Sequence, residues 1–212
     1  MILDLWQAGG FLVASIAVTL APGPDNLMIL SLGLSRGRRA GFVFGLGCAL
    51  GCLFHTALAV LGLGALIVAS PEAFFAIQIV GGFYLIWLGI GLWRASSAES
   101  AKDSMPLAER EGQLWRLFGR GLIANAINPK VMVFFLAFLP QFVTAGQGGE
   151  VIQMAALGGL FTVQAVVLFG VIGWFSGTFG QWLRGMPGVA NWLHKIAGTI
   201  FLGLGLRLIL VR

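Results

Sequence analysis

The apolar residues of this chain come in long unbroken runs, without the period-two alternation of a half-buried strand. Six runs are long enough for a helix to cross a bilayer, which takes roughly 20 apolar residues. They cover about 5–34, 41–69, 73–93, 118–143, 151–175 and 193–211. This contiguity predicts an all-α integral membrane bundle of six transmembrane helices and argues against a barrel, whose strands alternate. The longest polar stretch, Arg94 to Arg116, is expected as a loop. The chain reads as one transmembrane domain over 1–212, with halves at about 1–95 and 115–212 joined by a loop at about 94–117.

Two of the runs are interrupted. The first contains Ala21-Pro22-Gly23-Pro24-Asp25-Asn26, and the fourth contains Asn125 and then Asn128-Pro129-Lys130. Proline lacks the backbone donor and clashes with the preceding turn, so carbonyls near residues 18–21 lose their partners. In hydrocarbon such groups are tolerated only when buried in protein or lining a wet cavity. A carboxylate at that depth, Asp25, marks a substrate or ion path. The structural alternative is a plain proline kink with Asp25 capping the second half-helix.

The halves also repeat. Pro24-Asp25 corresponds to Pro129-Lys130, each followed by an apolar half-helix containing Met28 or Met132. Ala49-Leu50-Gly51-Cys52-Leu53-Phe54 matches Ala156-Leu157-Gly158-Gly159-Leu160-Phe161, and Gly82 with Leu88-Gly89 matches Gly198 with Leu204-Gly205. Three crossings per half is odd, so the second half enters from the opposite face: an inverted repeat with broken helices 1 and 4. In such a fold the site lies near the midplane. Asp25 stands 11 residues before Arg36 and Lys130 stands 10 after Arg120. At 1.5 Å per residue, each is roughly 15 Å from the interface of a ~30 Å core.

Composition and charge sharpen the membrane assignment. The chain is 58% hydrophobic and 10% charged, with a mean hydropathy of +0.93, which no soluble domain of 212 residues supports. The net charge of +5 and pI of about 10.0 do not point to nucleic acid. Basic residues instead mark alternate loops: Arg36, Arg38 and Arg39; then Arg94, Lys102, Arg110, Arg116 and Arg120; then Arg184 and Lys195. Pro71-Glu72 and Gly146 to Glu150 carry none. By the positive-inside rule, loops one, three and five face the cytoplasm and both termini lie outside. Arg207 and Arg212 run against that pattern and are read as snorkelling to the outer interface. The first run lacks a basic lead and is too long for the core of a cleaved signal peptide.

Asp25 and Lys130 are the ionised pair expected at the midplane, so pairing across the pseudo-symmetry axis is the economical arrangement. They should face each other across a space that water reaches. A zwitterionic amino acid complements them, ammonium to Asp25 and carboxylate to Lys130 or a half-helix N-terminus. Protonation of Asp25 offers a way to couple release to proton entry; a permanent structural salt bridge is the alternative. Asn26, Asn125 and Asn128 divide between caps for freed carbonyls and direct ligands. His55 and Gln164 lie midway along the second and fifth spans, His55 as proton relay or as a satisfied core histidine. Gln78 and Tyr84 are weaker candidates. Trp93, Trp115, Trp182 and Trp192 sit near span ends, as interfacial anchors do.

Cys48 and Cys52, four apart on one span, are poorly placed for a disulfide and join Gly41, Gly45, Ala49 and Gly51 in a small-residue stripe. Such stripes suit packing within one chain and a homodimer equally. No cofactor or metal site is expected. The competing functional classes are a transporter of another small solute or a divalent cation, and an intramembrane thiol-redox conduit. A divalent cation wants several oxygens, and one Asp beside a Lys is a poor cage. A conduit needs cysteines on facing helices, and these share one. An intramembrane enzyme would need a paired aspartate or a nucleophile for His55.

Ala21-Pro22-Gly23-Pro24-Asp25 resembles the signature of the lysine exporter (LysE/RhtB) family of amino-acid exporters, as does the glycine-punctuated run from Arg36 to Gly64. Asn128-Pro129-Lys130 and Phe138-Leu139-Pro140-Gln141-Phe142-Val143 are similar to the family's fourth-span motif, and Gly198 to Arg207 to its ending. The resemblance implies a small bacterial inner-membrane protein that exports amino acids or their analogues on the proton gradient. It implies that Pro22, Gly23, Pro24 and Asp25 shape the first broken helix, and Asn128, Pro129 and Lys130 the second. Substrates vary across the family. With no second carboxylate evident for a basic side chain, neutral amino acids are favoured.

Overall fold

The computed structural model describes residues 3–63, 70–94, 111–144, 149–178 and 187–210, and every element among them is helical. Arg110, Lys102, Trp182 and Arg184, with Arg212 and most of the expected central loop, lie outside the described residues. In chain order the helices are α1 (Leu5–Leu20), α2 (Pro24–Arg36), α3 (Arg38–Leu58) and α4 (Pro71–Arg94). The second half has α5 (Glu111–Ala126), α6 (Pro129–Val133), α7 (Glu150–Trp174) and α8 (Pro187–Leu210). The spiral of α3 widens into a π turn at Ala59–Leu63. That of α6 continues through a π segment, Phe134–Phe138, and a 3₁₀ turn, Leu139–Phe142.

Both predicted breaks are present. α1 and α2 meet at a 54° bend, and α5 and the α6 segment at 48°. Each second half-helix starts on a proline, Pro24 or Pro129, whose fixed φ suits the first turn and whose missing donor costs nothing there. Each bent pair is apolar and long enough to be one crossing. Together with Arg38–Gly62, Glu72–Arg94 and Glu150–Trp174 they make five candidate crossings among the described residues. α8, which carries Lys195 and Arg207, is not among the helices that meet this measure of length and hydropathy.

α3 is the central column, packed against α5 on one side and α7 on the other. Glycines permit this closeness: a methyl on Gly47 would run into the Phe118 carbonyl, and one on Gly121 into that of Phe44. Cys48 and Cys52 are buried in the same stripe, as expected. α4 pairs with α8 antiparallel, and here Gly82 meets Gly205 while Gly89 meets Gly198.

The two ends of the bundle are closed differently. Where α1 and α7 begin and the α6 segment ends, Gln7 donates to the Phe142 carbonyl and to Gln153 Oε1 (3.1 Å), which also accepts from Thr144 N (2.9 Å). Arg207 lies over the rings of Phe138 and Phe142, 5.8 and 5.5 Å from their centroids. At the opposite end backbones touch: Gly41 sits against the Gly173 carbonyl, and Ser176 fills the space beside Gly33. Between the polar end and the middle runs an aromatic column of Phe142, Phe138, Phe11, Phe134 and Phe161, with neighbouring centroids 5.1–5.6 Å apart.

Candidate transport site

The breaks bring their side chains to one place. Asp25, in the first turn of α2, is 1% exposed, and Lys130, in the first turn of α6, is 3% exposed. Both line one small gap with Thr19, Asn125 and Cys52, closed off by Val18, Val131, Phe161 and Phe169. The walls meet so closely that no water fits between them. The water-reached space expected from the sequence is therefore shut, with Phe161 and Phe169 of α7 forming part of the closed wall.

The expected direct pairing of Asp25 with Lys130 is not how the site is held. Asn125, on the last turn of α5, donates from Nδ2 to Asp25 Oδ2 at 2.7 Å. Lys130 Nζ donates to the Ala21 carbonyl at 3.0 Å, one of the acceptors freed by the first break. An orphan carbonyl in a dry interior competes strongly for an ammonium, and an amide serves the carboxylate without a second buried charge. Each charge thus makes a hydrogen bond to the other half of the chain, with no ion pair formed between them. Gly23 makes room for this: a Cβ there would stand 2.9 Å from Lys130 Nζ.

The asparagines act mainly on backbone. Asn26 Nδ2 caps the carbonyls of Thr19 (2.9 Å), Leu20 (3.2 Å) and Ala21 (3.2 Å), closing the end of α1. Asn128 Oδ1 accepts from Lys130 N at 3.0 Å as the N-cap of α6. Asn125 is the hub: besides holding Asp25, its carbonyl lies 2.9 Å from His55 Nε2, and Cys52 Sγ donates to its Oδ1 at 3.5 Å. Gln164 reaches across from α7 and donates to Thr19 Oγ1 at 2.8 Å.

Of the residues singled out beforehand, Asp25, Asn125 and Lys130 line the gap, while His55, Asn26, Asn128 and Gln164 stand behind its wall. Pro22 is half-buried and Pro24 and Pro129 are exposed, so the prolines set the bends and do not face the gap. Gln78 and Tyr84 lie on α4 away from it. Thr19 and Cys52 were missed. Buried polar atoms without partners cluster around the gap: Asp25 Oδ1, Asn26 Oδ1, His55 Nδ1, Asn128 Nδ2 and Gln164 Oε1.

Known proteins are similar to this chain over nearly its whole length. A membrane protein of Vibrio cholerae is 32% identical, over 98% of each chain. The homoserine/homoserine lactone efflux protein of Salmonella typhimurium is 31% identical, over 97% of this chain and 96% of its own. The threonine efflux protein of Escherichia coli is 28% identical, over 93% and 94%. No solved structure matches the chain. Residues 16–212, both breaks included, match the family described as LysE type translocators. With an all-helical apolar bundle, two broken helices and a buried acid and base where they meet, this chain belongs to the LysE translocator family.

Proposed function

We infer that the chain is a secondary active exporter of small neutral amino acids across the bacterial inner membrane, working by alternating access around the Asp25–Asn125–Lys130 gap. The observation that carries this reading is the placement of one buried carboxylate and one buried ammonium, from separate broken helices, in the wall of a single gap. Neither satisfies the other, so both have interactions to exchange for a ligand that brings its own ammonium and carboxylate. A zwitterion does this: its ammonium takes the unpartnered Oδ1 of Asp25, and its carboxylate draws Lys130 from the Ala21 carbonyl. Relatives named for threonine and homoserine efflux support cargo of this size.

Six crossings arranged as two inverted repeats complete the reading, with α8 as the last. The internal repeat equates Gly82 with Gly198 and Gly89 with Gly205. The contacts between α4 and α8 join Gly82 to Gly205 and Gly89 to Gly198. A two-fold operation relating the halves exchanges those two contacts with each other, as in an isologous interface. The conformation with both ends shut is then the occluded intermediate, and export requires each end to open in turn.

Coupling to protons is assigned to Asp25, the titratable carboxylate of the gap: protonated, it releases the ammonium. Efflux of a panel of labelled amino acids from loaded cells, with and without an uncoupler, tests the whole reading. Uncoupler-sensitive efflux of neutral amino acids is expected, and efflux of none of them rejects the exporter. Asp25→Asn should abolish the uncoupler sensitivity; undiminished proton-driven export by that variant rejects the coupling role.

A further inference from the structure

The wall of the gap holds one more polar group than a bare zwitterion needs. Asp25 and Lys130 serve the charged ends, and Asn125 is already committed to Asp25, His55 and Cys52. That leaves the hydroxyl of Thr19. Buried threonines in apolar helices ordinarily give their hydroxyl proton to the carbonyl four residues back. Thr56 does so to Cys52 O at 3.0 Å, and Thr162 to Gly158 O at 2.9 Å. Thr19 has no such bond. Its Oγ1 accepts from Gln164 Nε2 at 2.8 Å, and its proton is uncommitted.

Gln164 is 8% exposed, and its second amide atom is buried without a partner. Turning the amide over reverses the roles, with Thr19 donating to Oε1 and Nε2 becoming the orphan, but one amide atom is left without a partner either way. A buried orphan of this kind calls for an explanation. Thr19 therefore presents one unused hydrogen-bonding position to the gap, a donor while Nε2 faces it and an acceptor with the amide turned over, while Gln164 of the opposite half holds it from behind the wall. A hydroxyl, which both donates and accepts, complements that position in either case.

We propose that Thr19 reads a hydroxyl on the side chain of the transported amino acid and that Gln164 is its positioning residue. This rests on the amino-acid exporter reading and adds the cargo's side-chain chemistry to it. The substrate class is a small amino acid bearing an aliphatic hydroxyl. A cargo with a methyl in place of the hydroxyl leaves that position on Thr19 unfilled in a dry site, which is how such sites reject isosteres.

The test is export of labelled threonine against labelled valine, isosteres that differ at this group, from proteoliposomes holding the intact chain. The wild type should favour threonine by at least about a hundredfold, since sites built to bond a hydroxyl reach about 10⁴-fold or more. Thr19→Val should lower the threonine-to-valine ratio by at least about tenfold, the worth of one buried hydrogen bond. Thr19→Ser, which keeps the hydroxyl, should retain the preference. Gln164→Met should lower the ratio in the same direction, and it provides the reading if Thr19→Val does not assemble. A wild type that exports both equally, or a Thr19→Val chain that slows both in proportion, overturns the proposal and leaves the exporter standing. A wild type that exports no amino acid rejects the exporter, and the hydroxyl site with it.

Discussion

The first break takes three residues, Ala21, Pro22 and Gly23, between two regular helices; the second takes two, Ile127 and Asn128, and the helix after it then loses its regularity. α2 runs as unbroken α-helix for 13 residues, whereas the α6 segment passes from α through π to 3₁₀ within 14 residues. The first break is also more heavily tied, with Asn26 on three carbonyls and Lys130 on one, against the Asn128 cap and the His55 contact to the Asn125 carbonyl on the second. Mixed helix geometry is weaker per hydrogen bond and often marks a hinge. The acid is thus mounted on a firm element and the base on a yielding one. Movement around the site should begin in the second half.

Removing the base is the harshest way to break the comparison. Lys130→Met leaves Asp25 without its nearby cation and the Ala21 carbonyl without a donor. Export should fall by about a hundredfold or more, the scale of losing one partner of a buried charged hydrogen bond, measured as initial efflux rate. Gly23→Ala is subtler: the new methyl displaces the flexible end of Lys130 and little else. Transport should drop by about tenfold, while thermal unfolding in detergent should hardly shift.

Stability separates the two caps. Asn26→Ala uncovers the Thr19 and Leu20 carbonyls, with Lys130 still on that of Ala21, and should destabilise by about 1–3 kcal/mol, whereas Asn128→Ala should cost about 1 kcal/mol as the loss of one N-cap. Equal losses in thermal or denaturant unfolding would remove the distinction between a firm and a yielding break. The smallest effect expected is in amide exchange: amides of 134–142 should exchange faster than those of 28–36, as weaker helical geometry requires. The reverse order would place the hinge in the first half.

Much of this was legible in the chain because proline and buried charge are loud signals in apolar sequence. Pro24 and Pro129 marked where each half-helix restarts, and Asp25, Asn125 and Lys130 stood out as polar residues deep in their runs. Thr19 was not legible. A threonine in a membrane helix normally bonds its own backbone, and only the position of Gln164, 145 residues away, shows that this one does not. The Asp25–Lys130 pairing failed for a related reason, since charge alone does not reveal that a nearer carbonyl needs the ammonium more. The π winding of 134–138 was hidden too, because a run apolar on every side carries no period to read.

The unlike closures at the two ends of the bundle have a mechanical consequence. Gln7, Gln153 and Thr144 form a latch of side chains and loop groups, which water can replace bond for bond as it parts, at little net cost. The Gly41–Gly173 contact is a seam of bare backbone, and prising it apart forfeits dispersion contacts for which water offers no substitute. The latch should therefore give way before the seam. By the orientation expected from the basic loops that end faces outward, so opening toward the exterior should be the easier of the two movements.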